Sequence, residues 1–182
     1  WLIGSQNLNY NTDYKHTGEI STDQLKSLGV EYSIIGHYER VRDFNENAVI
    51  INNKLIAALD ANIFPILCFG ENIDDDYHEA IPKILDKYLK DVENIEFIIF
   101  AYEPIFAIGT GALPNRKRIE EVISFVNEYL EEKKKKKPNL LYGGSVDSSN
   151  INDIINIEGI DGVLVGDISS NIKEVERIIQ SV

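Results

Sequence analysis

The sequence predicts an α/β protein with a parallel sheet, because short apolar runs alternate with amphipathic segments along the whole chain. Gly, Pro, Asn or charged residues bound each apolar run, which is typical of short buried strands. Polar and glycine residues directly follow successive strands. This placement favours a (β/α)8 barrel over a doubly wound sheet, although the alternation alone allows both.

Six strands are predicted, at residues 1–3, 32–35, 64–69, 97–102, 140–142 and 163–165. A first helix begins at Ser21, with Leu25 and Leu28 on one face. Apolar residues at helical spacing predict further helices at residues 45–61, 74–92, 115–137, 150–156 and 171–180. Pro82 indicates a kink or a later start in the second of these.

Length, charge and cysteine content narrow the class of protein. The 182 residues correspond to one domain, and we expect a single domain over residues 1–182. The formal net charge of -12 argues against nucleic acid or an anionic membrane as a partner. The one cysteine, Cys68, excludes an internal disulfide and fits a reducing compartment, so we expect a cytoplasmic location. The sequence shows no metal-binding spacing and no nucleotide-binding glycine motif.

The segment "IIFAYEPIFAIGTG" at residues 98–111 places Glu103 directly after a buried strand. The loop that follows is itself apolar, although loops normally face water, so we expect it to close over a ligand as a lid. Exclusion of water raises the basicity of a carboxylate, which suits a group that takes a proton from carbon. The alternative is a buried acid paired with a structural arginine such as Arg40.

His37 follows the apolar run "YSIIG" and begins the segment "HYERVRD". This segment can form a short helix, whose positive end would keep the imidazole neutral. A neutral imidazole can donate a hydrogen bond to a substrate carbonyl. The alternative is a core histidine bonded to a main-chain carbonyl.

Glycine turns follow the last two predicted strands, at Gly143-Gly144-Ser145 and at Gly166. Each turn leads into a predicted helix. Main-chain amides at such turns can bind an anion. Two glycine turns on consecutive strands of a parallel barrel are a known phosphate arrangement. Gly109, in the lid, can add a third amide.

Five motifs occur together in the order and spacing of one enzyme family: "TGEIS", "GHYER", "AYEPIFAIGTG", "YGGSV" and "DGVLVG". On these motifs the chain resembles the triosephosphate isomerase family over essentially its whole length. The resemblance implies a (β/α)8 TIM barrel, of which this chain supplies about six β/α units, from the third strand to the C-terminus. We therefore expect the natural chain to continue upstream by two β/α units, and residues 1–182 alone to be inactive.

The resemblance implies interconversion of dihydroxyacetone phosphate and D-glyceraldehyde 3-phosphate through an enediol(ate), in glycolysis and gluconeogenesis, with no cofactor. A glutamate base with a neutral histidine is the known assignment for this enzyme. By motif, Glu103 would move the proton, His37 would polarise the carbonyl, and Glu39 would assist them.

The resemblance also implies the phosphate site and the oligomer. Gly109, Ser145 and Gly166 would bind the phosphate when the lid closes. Thr17 lies in the loop from Asn7 to Glu19 and would reach the site of a neighbouring subunit, which implies a homodimer.

The chain departs from the family pattern in four places. The Asn and Lys of the family's first units are absent, Phe106 replaces a Trp in the lid, and Tyr38 replaces a Ser. Asp167 replaces the second glycine of the phosphate turn and places a carboxylate near a bound dianion. We expect the Asp167 side chain to face solvent while its amide faces the ligand.

Two other functions compete with this interpretation. One is another phosphate-binding barrel isomerase, against which the combination of His37, Glu103 and the lid argues. The other is a degenerate, non-catalytic relative with a binding or assembly role. Asp167 and the missing units favour it, whereas the intact His37 and Glu103 argue against it.

Overall fold

The computed structural model describes residues 1–11, 16–108, 114–134 and 136–181. The six strands of this part of the chain are β1 Gly4–Ser5, β2 Tyr32–Ile35, β3 Phe64–Phe69, β4 Ile99–Tyr102, β5 Asn139–Tyr142 and β6 Gly162–Val163. Its seven α-helices are α1 Thr22–Ser27, α2 Tyr38–Phe44, α3 Ala48–Asp60, α4 Tyr77–Tyr88, α5 Arg116–Lys134, α6 Ile151–Ile155 and α7 Ile172–Gln180. Short 3-10 helices occupy Ile95–Phe97, Ile105–Ala107 and Asp167–Ser170.

The strands form one six-stranded sheet in chain order, β1-β2-β3-β4-β5-β6. The β1/β2, β2/β3 and β5/β6 pairs are parallel, and Tyr32 lies opposite both Gly4 and Phe64 in the register. Parallel neighbours need a crossover between them, and a helix follows each strand along the chain. The predicted parallel α/β architecture is therefore confirmed.

Strands β2 and β3 have the predicted bounds, whereas the first and last strands do not. Trp1, Leu2 and Ile3 are exposed, and the first strand instead begins at Gly4, where pairing with β2 starts. The last strand, β6, ends at Val163. In both cases the strand comprises only the residues that have a register partner in the neighbouring strand, and the strand bounds follow this pairing.

Strand β4 starts at Ile99, two residues later than the sequence predicts. The preceding residues form a 3-10 helix after Asn94, which has a left-handed φ of 58°. An asparagine tolerates this conformation, which turns the chain before the strand begins. Strand β5 begins one residue earlier than predicted, at Asn139.

Helix α1 begins as predicted, because Ser21 and Gln24 form a reciprocal capping box. Leu25 is buried, but Leu28 is 68% exposed, so its predicted place on the buried face is wrong. Leu28 caps the helix C-terminus and no longer follows the helical period. Helix α4 starts late, at Tyr77, and contains Pro82.

The residues pack into two compact units, and Pro82 begins the second segment of the first unit. The first unit comprises Trp1–Phe69 with Pro82–Ile99, and the second comprises Gly70–Ile81 with Phe100–Val182. The first has a core that includes Leu8, Ile35, Ile51, Leu55, Leu67 and Leu85. The core of the second includes Phe100, Tyr102, Val122, Val126, Leu130 and Tyr142. No helix among the described residues is long and apolar enough to cross a membrane.

A buried charge cluster in the first unit connects α2, α3 and the segment after β1. The Lys54 ammonium donates to Glu46 Oε1 at 2.6 Å and to Asn7 Oδ1 at 2.7 Å. The Arg40 Nε also donates to Glu46 Oε1, at 2.8 Å. The pKa of Lys54 is lowered, mainly because the ammonium group is buried. The Glu46 carboxylate acts in the opposite direction and raises this pKa. The Glu46 carboxylate therefore holds two cations that lie on different helices.

We expect Glu46→Gln to lower the free energy of unfolding by about 3 kcal/mol, because it leaves the buried Lys54 ammonium without its counter-charge. The matched control is Glu120→Gln, which breaks the exposed Arg116–Glu120 pair on α5. That change should cost about 1 kcal/mol or less. Urea denaturation of both variants measures the difference, and equal costs would contradict a structural role for the buried pair.

Candidate active site

Gly36 follows β2 and allows the chain to turn into α2. Its φ is +77°, and a Cβ there would lie 3.1 Å from the carbonyl oxygen of Cys68 and 3.5 Å from Ile51. An L side chain therefore meets both an unfavourable backbone conformation and a fixed main-chain atom. The turn places His37 at the N-terminus of α2, as the sequence predicts.

His37 is the N-cap of α2, and its ring accepts a hydrogen bond at Nδ1 from the main-chain amide of Glu39, 3.3 Å away. Because Nδ1 is an acceptor, the neutral ring carries its proton on Nε2. Burial lowers the pKa of His37; the Glu39 carboxylate opposes this effect and Arg42 adds to it. The imidazole is therefore set up as a neutral donor through Nε2.

The structure brings Glu39 close to His37 but leaves its carboxylate near water. One oxygen of Glu39 lies 3.9 Å from His37 Nδ1, and the Glu39 side chain is 60% exposed. Tyr38, one of the departures from the family pattern, stacks against Arg42, whose guanidinium carbon lies 5.2 Å from the ring centroid.

Glu103 directly follows β4 in the second unit and is 3% exposed. Two glycines contact it closely. A Cβ on Gly143 would lie 2.7 Å from Glu103 Cγ and 3.2 Å from its Oε1, and a Cβ on Gly70 would overlap the Glu103 carbonyl oxygen. The amide of Gly143 also donates to the carbonyl of Tyr102 at 2.8 Å. The Glu103 side chain is thus held in a narrow space beside Gly143 of the same unit.

The start of the predicted lid is described, from Pro104 to Ile108, whereas Gly109 lies outside the described residues. Ile105 to Ala107 form a 3-10 helix, in which Ala107 is 1% exposed. The Ser145 hydroxyl donates to the carbonyl of Ala107 at 2.7 Å. Ser145 is therefore joined to the segment that follows Glu103.

Gly166 and Asp167 are exposed, and a Cβ on Gly166 would meet no atom within 4 Å. A 3-10 helix runs over Asp167–Ser170, directly after Gly166. Helix α7 follows from Ile172, with Asn171 as its N-cap. This turn leaves the space beside Gly166 open.

Sequence reasoning assigned no role to Glu71, the residue after Gly70 at the end of β3. Its side chain is completely buried and accepts hydrogen bonds from Tyr102 and Arg118. The only signal in the sequence was its place after a strand, which it shares with Glu103. Among the described residues, no group of three or more His, Cys, Asp and Glu side chains could hold a metal ion.

These features define a parallel β/α protein with a buried carboxylate after one strand and a neutral histidine after another. The sequence profile of the family described as "Triosephosphate isomerase" matches residues 1–182. The triosephosphate isomerase of Alkaliphilus oremlandii is 37% identical, over 97% of this chain and 75% of that protein. That of Wolbachia sp. subsp. Brugia malayi is also 37% identical, over 99% of this chain and 74% of that protein.

A solved structure agrees with the sequence comparisons. The crystal structure of triosephosphate isomerase from Bartonella henselae matches with a TM-score of 0.88 and 28% identity, over 99% of this chain and 76% of that chain. The chain therefore belongs to the triosephosphate isomerase family. The predicted fold class, about six units of a (β/α)8 barrel, is confirmed.

Titration of the His37 ring by NMR should give a midpoint below 6.5. Glu39→Gln should lower it further, and Arg42→Gln should raise it, because these charges act in opposite directions on the pKa. The unfolded chain then binds more protons than the folded chain, so the free energy of unfolding should fall as pH drops through 6.5. A midpoint above 6.5 would contradict the buried, neutral imidazole.

Gly143→Ala should lower the free energy of unfolding by about 1–3 kcal/mol, because the new methyl group must displace the Glu103 side chain. Gly162→Ala is the matched control in the neighbouring strand. Its Cβ would meet only Leu141 Cδ2, at 3.1 Å, and this flexible side-chain end can move. Thermal and urea unfolding of the two variants measure the difference. Equal stabilities would show that Glu103 is loosely held.

Proposed function

We propose that the protein is a triosephosphate isomerase that interconverts dihydroxyacetone phosphate and D-glyceraldehyde 3-phosphate. The relatives carry this name. The observation that carries the proposal is Glu103, a 3% exposed carboxylate that directly follows β4 and that Gly70 and Gly143 contact closely. A carboxylate removed from water is a stronger base than one in solvent, which proton abstraction from carbon requires.

In the proposed reaction, the Glu103 carboxylate removes a proton from the carbon next to the substrate carbonyl. The electron pair of the broken C–H bond forms an enediol(ate), and Glu103 returns a proton to the neighbouring carbon. A proton also passes from one substrate oxygen to the other, so that the carbonyl and the hydroxyl group exchange places with no net change in oxidation state. No other bond to carbon breaks, so the chain needs to supply only a base, a hydrogen-bond donor and a phosphate site.

His37 is the proposed donor to the carbonyl oxygen. Its Nδ1 accepts from the amide of Glu39, so the neutral ring presents its proton on Nε2. A neutral donor polarises a carbonyl without first losing a full positive charge, and the lowered pKa of His37 keeps the ring in this form near neutral pH. Glu39 assists by its carboxylate, 3.9 Å from Nδ1.

The substrate phosphate is proposed to bind at Ser145 and Gly166, together with Gly109 of the lid. The turn at Gly166 is exposed and open, which suits an incoming anion. Asp167 is also exposed, so its carboxylate can stay in water while its amide faces the phosphate.

We further propose a homodimer, in which the loop from Asn7 to Glu19 extends toward a second subunit. Thr17 is exposed near the end of this loop. A cytoplasmic location, with a place in glycolysis and gluconeogenesis, suits this substrate and the single Cys68.

Glu103→Asp tests the proposed base. Shortening the side chain by one methylene should lower kcat by about 100-fold or more, because the carboxylate no longer reaches the substrate carbon. Glu120→Asp, on the exposed surface of α5, makes the same chemical change and should leave kcat unaltered. A coupled assay of isomerisation, made on the intact protein, measures both variants.

Near-normal activity in Glu103→Asp would remove Glu103 from the mechanism. A folded parent protein with no isomerase activity would instead favour the degenerate, non-catalytic relative. The two outcomes are distinct, because the first requires an active parent protein.

A further inference from the structure

Glu71 is a completely buried acidic side chain that the proposed mechanism does not use. Its Oε1 accepts two hydrogen bonds, from the Tyr102 hydroxyl at 3.0 Å and from Arg118 Nη2 at 2.9 Å. Its other oxygen, Oε2, is buried with no hydrogen-bond partner among the residues that the structure describes. A buried carboxylate with one unsatisfied oxygen is costly, and apolar residues often fill such a space at least as stably. Stability alone therefore does not account for Glu71.

The main chain of the same segment also contacts the residues around Glu103. The carbonyl of Glu71 accepts from the amide of Ile105 at 3.1 Å. Gly70 lies so close to the Glu103 carbonyl oxygen that no Cβ could be placed there. Two consecutive residues, Gly70 and Glu71, thus contact Tyr102, Glu103 and Ile105.

The partners of Glu71 are suited to hold its side chain in one position. Burial and the Glu71 carboxylate raise the pKa of Tyr102, so its hydroxyl stays protonated and remains a donor. Arg118 comes from α5, and its guanidinium carbon lies 4.4 Å from the centroid of the Tyr77 ring. A guanidinium over an aromatic face is held by the ring as well as by the carboxylate. The Glu71 side chain therefore has partners on β4 and α5.

We propose that Glu71 is a positioning residue for Glu103, because it holds Tyr102 on one side of Glu103 and Ile105 on the other. The role rests on the proposed function of Glu103 as the base. Glu71 does not touch the substrate in this proposal. It acts by fixing the main chain on both sides of Glu103, so that the carboxylate cannot turn away from the reacting carbon.

The test compares Tyr102→Phe, Glu71→Gln and the double variant in the intact protein. Tyr102→Phe removes only the hydroxyl that Glu71 holds, and we expect it to lower kcat about tenfold. KM should stay within about twofold, because the phosphate contacts are unchanged. The double variant should be no slower than the slower of the two single variants, because Tyr102→Phe removes, and Glu71→Gln weakens, one and the same contact.

Tyr142→Phe is the matched control. The Tyr142 hydroxyl is also buried, on the adjacent strand β5, but it has no hydrogen-bond partner among the described residues. Its ring packs against Tyr102 with centroids 6.2 Å apart, so the two substitutions remove the same atom in similar surroundings. Tyr142→Phe should retain the parent kcat. Equal kcat values for the Tyr102→Phe and Tyr142→Phe variants would overturn the proposal, as would additive losses in the double variant.

Hydrogen exchange of the Ile105 amide gives a readout that does not depend on activity. In Tyr102→Phe and Glu71→Gln this amide should exchange faster, whereas in Tyr142→Phe it should exchange at the parent rate. The amide of Leu164, which donates to the Tyr142 carbonyl at 2.9 Å, reports general loosening and should be unchanged in the first two variants.

An unchanged Ile105 amide in Glu71→Gln would overturn the proposed positioning even if the enzyme is active. An inactive parent protein would refute the proposed function, and the exchange data would still show whether Glu71 holds this segment. If Glu71→Gln does not fold, Tyr102→Phe carries both readouts by itself.

Discussion

The close contact between Glu103 and two glycines is the constraint on which the second unit depends. Gly70 contacts the Glu103 carbonyl, and Gly143 contacts its side chain at distances that leave no room for a methyl group. These glycines follow β3 and β5 along the chain, and both belong, with Glu103, to the second unit. Protein interiors resist such crowding unless every neighbour fits, so a small shift in any of these segments would move the Glu103 carboxylate.

The two proposed reacting groups are positioned by different means. His37 is fixed within its own turn, because its ring accepts from the amide two residues later at the start of α2. Its tautomer is therefore decided by local structure. Glu103 is instead crowded by Gly70 and Gly143, where an added Cβ would overlap or press against its atoms. Its place depends on residues that are distant in sequence, which include Gly70, Glu71 and Gly143.

Buried acids in a chain with a net charge of -12 need cations from nearby helices. Glu46 has Lys54 and Arg40, and Glu71 has Arg118. In each pair the cation lies on a helix, whereas the acid lies in a connecting segment, Glu46 between α2 and α3 and Glu71 after β3. Removal of one partner would leave an unpaired charge in the interior. Arg40, Lys54 and Arg118 thus neutralise buried acids, whereas pairs such as Arg116–Glu120 lie on the exposed surface.

Short-range sequence patterns determined many of the helices and strands. The bounds of β2 and β3, the start of α1 at the Ser21 capping box and the helix after His37 follow from short-range periodicity and capping, which act within a few residues. The five motifs likewise indicated the family. Gly109 lies outside the described residues, so its place in the phosphate site stays a prediction.

Tertiary structure alone decided the bounds of β1 and β6, the exposure of Leu28 and the contacts of Glu71. Strand bounds depend on which residues find a register partner, so residues 1–3 lie outside β1, although the Ile3 carbonyl accepts from the amides of Glu31 and Tyr32. The need for glycine at residues 70 and 143 appears only when Glu103 is placed beside them. Contacts between residues that are distant along the chain leave no periodic signal in the sequence, and for that reason the surroundings of Glu103 could not be read from it.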